Sequence, residues 1–214
     1  MFKNRRDAAG KLSRKLMELY NRDDLIILGI SPGGMITAIE MAKQLNARSD
    51  YLIIRKFYVP EHQIEPMGAI AIGGETVYNK GIINHFNVSP DIVEQLEREE
   101  RAMLNSDDRY FRGNSPPLDV AGKIVLLVDD GMGTGVTMRA SIDAVKAQGA
   151  REIIVASPVS STQVCMMFKG IADRTVCFAT PHPFQSVENW YEEYEKPSPE
   201  ALRKLIRENR AVLA

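Results

Sequence analysis

The sequence predicts an α/β fold, doubly wound around a mainly parallel five-stranded sheet. Five short, strongly apolar runs recur along the chain, at residues 25–30, 51–54, 125–128, 153–159 and 175–178. Their lengths and β-branched content suit strands buried on both faces. Segments of helical period separate most of them, and that alternation calls for crossover connections and parallel pairing. The third observation is local. Two runs pass directly into glycine turns that open helices, and such turns belong at the carboxyl edge of a parallel sheet.

Residues 6–20 carry Ala9, Leu12, Leu16 and Leu19 at helical spacing among many charges, the pattern of an amphipathic cover helix. The run 25–30 is followed by Ser31-Pro32-Gly33-Gly34 and a helix over about residues 35–45. The next run, 51–54, ends in Arg55-Lys56. Residues 57–67 contain Pro60 and Pro66 and keep no sustained period, so they are expected to be a long irregular loop. His62 lies in that loop and is expected to be exposed, with no assigned role. Short strands over 69–72 and 75–78 should meet across Gly73-Gly74, a hairpin signal. Ser89 and Pro90 supply an N-cap and first-turn pair for a charged helix reaching about residue 105. Glu94/Arg98 and Glu97/Arg101 are set on it at i,i+4. Its apolar side is thin, which fits either a flap on the main core or half of a subunit contact.

Residues 114–117 read as loop. After the run 153–159, Ser160 or Ser161 can cap a helix holding Val164, Met167 and Phe168, with Met166 and Met167 as core filler. Beyond 175–178 come Thr180-Pro181-His182-Pro183-Phe184, then Trp190 and Tyr191 among acids. A last helix has Ser198 as cap, Pro199 in its first turn, and Leu202 and Ile206 facing inward. The expected organisation is a single domain over 1–214, with a hairpin and charged helix inserted at 68–112 and a C-terminal cover over 180–214.

Composition excludes several classes of function. A formal net charge of −1 gives no basic field for nucleic acid. No apolar run approaches the ~20 residues of a membrane span, and no signal peptide opens the chain, so a cytoplasmic protein is expected. Cys165 and Cys177 lie in apolar runs without metal-ligand spacing and read as separate core residues in a reducing compartment.

The chemistry is concentrated in residues 125–138, VLLVDDGMGTGVTM. Four apolar residues lead to Asp129 and Asp130, and three glycines follow, alternating with Met132 and Thr134. Beyond Thr137 the period turns helical, with Met138, Ile142 and Val145 on one stripe and Gly149 as a stop. Strand, acidic glycine-rich turn and helix together aim backbone N–H groups and a helix N-terminus at one point, which suits a phosphate. A P-loop would need a lysine that is absent between Gly131 and Thr137, and a dinucleotide fingerprint would need a different glycine spacing. Two adjacent carboxylates ~4 Å apart repel by roughly 1 kcal/mol even in water, so the fold must have a use for them. Ribose hydroxyls, with their phosphate on the loop, would supply one.

That run resembles the PRPP-binding motif of type I phosphoribosyltransferases, with about a dozen positions matching in order. The resemblance implies that Asp129 and Asp130 bind the ribose 2′- and 3′-hydroxyls. It assigns the 5′-phosphate to Gly131, Met132, Gly133, Thr134, Gly135, Val136 and Thr137. It makes Pro32, Gly33 and Gly34 the pyrophosphate loop, in which Pro32 stands where relatives of similar layout carry an arginine. Arg55 and Lys56 are implied as a basic pair serving pyrophosphate, residues 57–67 as a mobile lid, and Thr180, Pro181, His182 and Phe184 as the base pocket. Aromatic stacking from Phe184, Trp190 or Tyr191 would suit a planar base, although these residues could equally seat the final helix.

The activity implied is displacement of pyrophosphate from ribose C1 by a nucleobase or other nitrogen acceptor. Asp129, Asp130, Arg55 and Lys56 are its catalytic set, and Mg²⁺ is held mainly through PRPP. Asp130 could also act as general acid or base. Self-association is left open. The alternative is a PRPP- or nucleotide-binding regulator of the same fold with little turnover, which the Pro32 departure favours. The acidic pair, Arg55-Lys56 and the long lid favour the enzyme.

Overall fold

A computed structural model of the chain describes residues 1–113 and 115–212, with the backbone alone at 64, 65 and 210–212. Helix α1 (Arg5–Ser13) is capped by Asn4, whose side chain accepts from the Asp7 N–H. It tightens into a 3₁₀ turn at Arg14–Leu19, where Leu16 leaves helical geometry. Strand β1 (Leu25–Gly29) leads to α2 (Pro32–Leu45), and Ser31 caps the helix. Pro32 takes the first helical position, where its missing N–H costs no intrahelical bond, so the helix starts earlier than its apolar period suggests. Strand β2 (Arg48–Tyr51) follows, then β3 (Ile54–Val59), β4 (His62–Ala71) and β5 (Thr76–Tyr78). Helices α3 (Lys80–His85) and α4 (Pro90–Arg112) lead to β6 (Ile124–Val128) and α5 (Val136–Ala147). The chain continues through β7 (Glu152–Val159), α6 (Thr162–Met167), β8 (Arg174–Ala179), a 3₁₀ turn at Glu188–Trp190 and α7 (Pro199–Val212).

The main sheet is parallel in the order β2-β1-β6-β7-β8, and β3-β4-β5 form a separate antiparallel sheet. Both faces of the main sheet are covered, as the continuous apolar runs require. Leu25, Ile27, Leu126 and Ile154 pack on α1 and α2, while the alternate residues Ile26, Leu127 and Val155 pack on α5 and α6. The expected doubly wound five-stranded fold is therefore present.

Several local expectations are corrected. The run 51–54 is not one strand: β2 ends at Tyr51, and Ile54 opens β3 of the second sheet. Residues 57–67 are not an irregular lid but most of the β3–β4 hairpin, which turns at Pro60 and Glu61. Pro66 sits opposite Tyr58 where the register shifts, a position that tolerates a residue without an N–H. His62 is exposed and lies against the ring of Phe86, with centroids 4.7 Å apart. The Gly73-Gly74 hairpin forms as expected, whereas α3 is an additional helix and α4 runs on to Arg112. Both i,i+4 pairs of α4 form.

Met166 and Met167 are 53% and 45% exposed, so they are not core filler. Cys165 and Cys177 are joined in a disulfide, because the turn after α6 returns β8 to within a Cα separation of 6.4 Å. Asn114, the first residue of the loop expected at 114–117, lies outside the described residues. Among the described residues no helix is long and apolar enough to cross a membrane.

Candidate active site

Strand order reverses between β1 and β6, so the loops leaving their carboxyl ends diverge and leave a crevice between them. Both loops line one cavity of about 490 Å³. The first contributes Ser31, Pro32 and Gly33, and the second contributes Asp129 and Asp130.

One hydroxyl links the two loops. Ser31 Oγ accepts from the Gly34 N–H at 2.9 Å, as an N-cap does, and donates to Asp129 Oδ1. The same carboxylate oxygen accepts from the Asp130 N–H at 3.0 Å. Both acids are buried, with Asp129 8% exposed and Asp130 5%. Burial, and then the charge of Asp130, hold the Asp129 carboxyl well above the usual carboxylate range, against the opposing pull of Ser31 and Lys56.

Asp130 is met by a different set of groups. Arg5 Nε on α1 donates to its Oδ2 at 2.8 Å, and Tyr191 Oη donates to its backbone carbonyl at 2.6 Å. The Arg5 guanidinium also donates from Nη1 to the Glu195 carbonyl at 2.7 Å and lies 4.2 Å from the centre of the Tyr194 ring.

After Asp130 the loop runs outward. Gly135 adopts φ +78, a conformation that favours glycine, and caps α5. No acceptor among the described residues takes the N–H groups of Gly133, Thr134 or Gly135, which is the condition of an anion cradle. Met132 differs. Its N–H donates to the Val159 carbonyl at 2.9 Å and its side chain is buried in the core, although the residue still lines the cavity. Thr137 reaches the cavity and Val136 does not.

Strand alternation divides the basic pair on β3. Lys56 and Tyr58 face the cavity, while Arg55, Phe57 and Val59 face away. Arg55 donates to Glu100 at 2.6 Å and Asp107 at 3.0 Å on α4 and does not line the cavity, so the structure does not bring it to the site with Lys56. Gly34 is at the helix cap and does not line the cavity itself.

Of the base pocket expected from Thr180, Pro181, His182 and Phe184, none of the four lines this cavity. Phe184 and Trp190 instead pack with Phe2 and Tyr191 in a cluster beside the site. The C-terminal wall is supplied by Val187, Tyr194, Lys196 and Pro197. Sequence reasoning missed Arg5, Ser31, Tyr58, Tyr194 and Lys196 as lining residues. Ser31 and Tyr58 had local signals, in the N-cap slot before Pro32 and the alternation from Lys56. Arg5 had none, because its contacts span 125 and 190 residues of sequence.

Residues 2–169 match the family described as "Phosphoribosyl transferase domain". The chain belongs to that family. Over 198 residues it is 31% identical to the Mycobacterium tuberculosis protein named "Putative phosphoribosyl transferase Rv0571c", covering 92% of this chain and 44% of that protein. It is 30% identical over 142 residues to a ribose-phosphate pyrophosphokinase of Methanosarcina acetivorans, covering 58% of this chain and 50% of the other. The chain thus spans half or less of the length of these relatives. The crystal structure of the Thermus thermophilus protein TT1426 is similar over 97% of this chain and 98% of that one, with a TM-score of 0.80 and 28% identity. As a member of the phosphoribosyl transferase domain family, the chain has its acidic pair and glycine loop inside the matched span, and the wall at 187–197 outside it.

Proposed function

We propose that the chain is a transferase that moves the 5-phosphoribosyl group of PRPP to a nitrogen acceptor and releases pyrophosphate. The observation that carries this reading is the convergence of three groups on one cavity: the Asp129–Asp130 pair, the loop amides of residues 133–135, and the N-terminus of α2 at Gly33. Two carboxylates beside a set of unclaimed N–H groups suit a sugar phosphate, with hydroxyls on the acids and phosphate on the loop.

In the proposed reaction the C1–oxygen bond breaks, and its electron pair leaves with pyrophosphate while the acceptor nitrogen donates a pair to C1. Asp129 and Asp130 accept from the ribose hydroxyls and sit near the positive charge that develops on the ring. Lys56 and the Gly33 N–H meet the charge gathering on the leaving group. The acceptor lies under Tyr58 and the wall that contains Tyr194.

A magnesium ion would supply neutralisation of the leaving pyrophosphate. Asp129 and Asp130 are the carboxylates that line the cavity, and among the described residues no group of three or more His, Cys, Asp or Glu is gathered for a metal. A hard cation that keeps several waters and takes oxygens from its substrate fits this donor set.

Thermal melting with PRPP and Mg²⁺ tests the site. Ligand at about a hundred times its Kd should raise the midpoint by roughly 5–10 °C, and Asp129→Asn with Asp130→Asn should abolish the shift. An unchanged shift in that double variant overturns the assignment. Pyrophosphate release is then assayed with a panel of nucleobases and amines. Release with one of them supports the transferase, while tight PRPP binding without release in any case favours a PRPP-binding regulator.

A further inference from the structure

The loop before α2 carries no cation of its own, because Pro32 precedes Gly33 and Gly34. A cation nevertheless stands beside it, brought from the other end of the fold. A Cβ placed on Gly33 would lie 2.6 Å from Arg5 Nε and 1.9 Å from Asp130 Oδ2, so only a glycine admits the ion pair at this point. Arg5 is 6% exposed, yet it lines the cavity.

The backbone at the same point is also unclaimed. Pro32 has no N–H, and the Gly34 N–H is taken by Ser31, but no acceptor among the described residues takes the Gly33 N–H. A buried guanidinium and a free amide therefore flank one corner of the cavity, with Lys56 also on its lining.

We propose that Arg5 is the cation that receives the pyrophosphate of PRPP in this chain, in the place that Pro32 leaves without one. The inference rests on the reading of the cavity as a PRPP site. A guanidinium carries five N–H donors in a rigid fork; the bonds to Asp130 and Glu195 use Nε and Nη1, and the Tyr194 hydroxyl is a further neighbour of the group. Arg5 keeps Asp130 through Nε and turns the remaining edge of the fork toward the leaving group at Gly33. One residue thus joins the acid on the ribose side to the anion on the leaving-group side. A buried Arg–Asp pair is costly to desolvate and is often replaceable by apolar residues without loss of stability, so its position on a cavity wall agrees with a ligand-binding role. The stacking of Tyr194 fixes the plane of the fork.

The test measures affinities by calorimetry for three probes: PRPP with Mg²⁺, pyrophosphate with Mg²⁺, and ribose 5-phosphate. Arg5→Gln should weaken the first two by about tenfold or more and leave ribose 5-phosphate within about threefold of the wild-type protein. Arg5→Lys should recover part of the pyrophosphate affinity, as a point charge without the fork. Equal losses for all three probes would mean that Arg5 acts only by positioning Asp130, and unchanged PRPP affinity would mean that it does not reach the substrate. Either result overturns the proposal. If Arg5→Gln alone does not fold, Arg5→Gln with Asp130→Asn is compared with Asp130→Asn, since removing both partners leaves no buried unpaired charge. The added substitution should then cost pyrophosphate affinity, and an equal affinity in the two variants overturns the proposal. The wild-type arm is separate. No PRPP binding there overturns the PRPP reading and this inference together, whereas wild-type binding that Arg5→Gln leaves intact overturns the inference alone.

Discussion

Ser31 donates its hydroxyl to the carboxylate of Asp129, and this bond ties the helix cap after β1 to the acidic pair after β6. Capping a helix and orienting an acid share one oxygen atom here. The loops of the site are therefore held at a fixed separation before any ligand arrives.

Ser31→Ala should cost about 1 kcal/mol of stability through the lost cap and weaken PRPP binding as well, because Asp129 loses a donor. Urea unfolding and calorimetry on the same variant check this. A cost in stability with unchanged PRPP affinity would limit Ser31 to its capping role.

Asp129 makes the stability of the free protein depend on pH. Its carboxyl is raised in the folded protein from 3.8 to about 8, by burial and by the charge of Asp130. The folded state thus binds a proton that the unfolded chain releases. Its stabilising contribution is complete below about pH 4 and is lost as pH rises toward about 8. Melting temperature followed over that window should fall in the wild-type protein and stay flatter in Asp129→Asn, which should be the more stable of the two at the alkaline end.

Arg55 and Lys56 are neighbours in sequence with opposite assignments, and two substitutions separate them. Lys56→Ala should lower PRPP affinity with little change in melting temperature, since the residue is exposed and lines the cavity. Arg55→Ala should do the reverse and lower stability by about 1 kcal/mol, because the ion pairs to Glu100 and Asp107 are partly exposed. A loss of PRPP affinity confined to Arg55→Ala would reverse the assignment.

Arg112 fastens the end of α4 to the core. It is 7% exposed, pairs with Asp50 at 2.5 Å, and donates to the Tyr51 carbonyl. Removing one partner of a buried pair commonly costs about 3–5 kcal/mol. Arg112→Ala should therefore lower the denaturation midpoint more than Ser31→Ala or Arg55→Ala, with PRPP affinity altered far less.

The parallel sheet, its two glycine turns and the acidic pair were legible because each depends on residues close together in sequence. Residues 125–128 are apolar without interruption, and both faces of β6 are buried. Residues 57–67 were misread for an instructive reason. Pro60 and Pro66 break the strand pattern, yet one stands at a turn and the other at a register shift, where a missing N–H does little harm. The place of Arg55 is not legible in the same way, because residue type and position suggest an anion while its strand face turns it toward α4. The C-terminal wall could not be found from its own residues. Tyr194 and Lys196 reach the cavity because the segment is anchored to residues far away, through Phe2 N–H to the Trp190 carbonyl and Tyr191 to the Asp130 carbonyl.

That anchoring divides the labour of the site along the chain. The groups proposed for the ribose, the phosphate and the leaving group all come from residues 5–137, within the matched family span, whereas Val187, Tyr194, Lys196 and Pro197 lie beyond it. The wall is nevertheless tied to the acids: Tyr191 donates to the Asp130 carbonyl, and Tyr194 lies against Arg5, which pairs with Asp130. Under the proposed reaction, Tyr191 and Tyr194 belong to the donor half of the site as much as to the wall, and a change of acceptor preference is open to Val187, Lys196 and Pro197 without loosening Asp130.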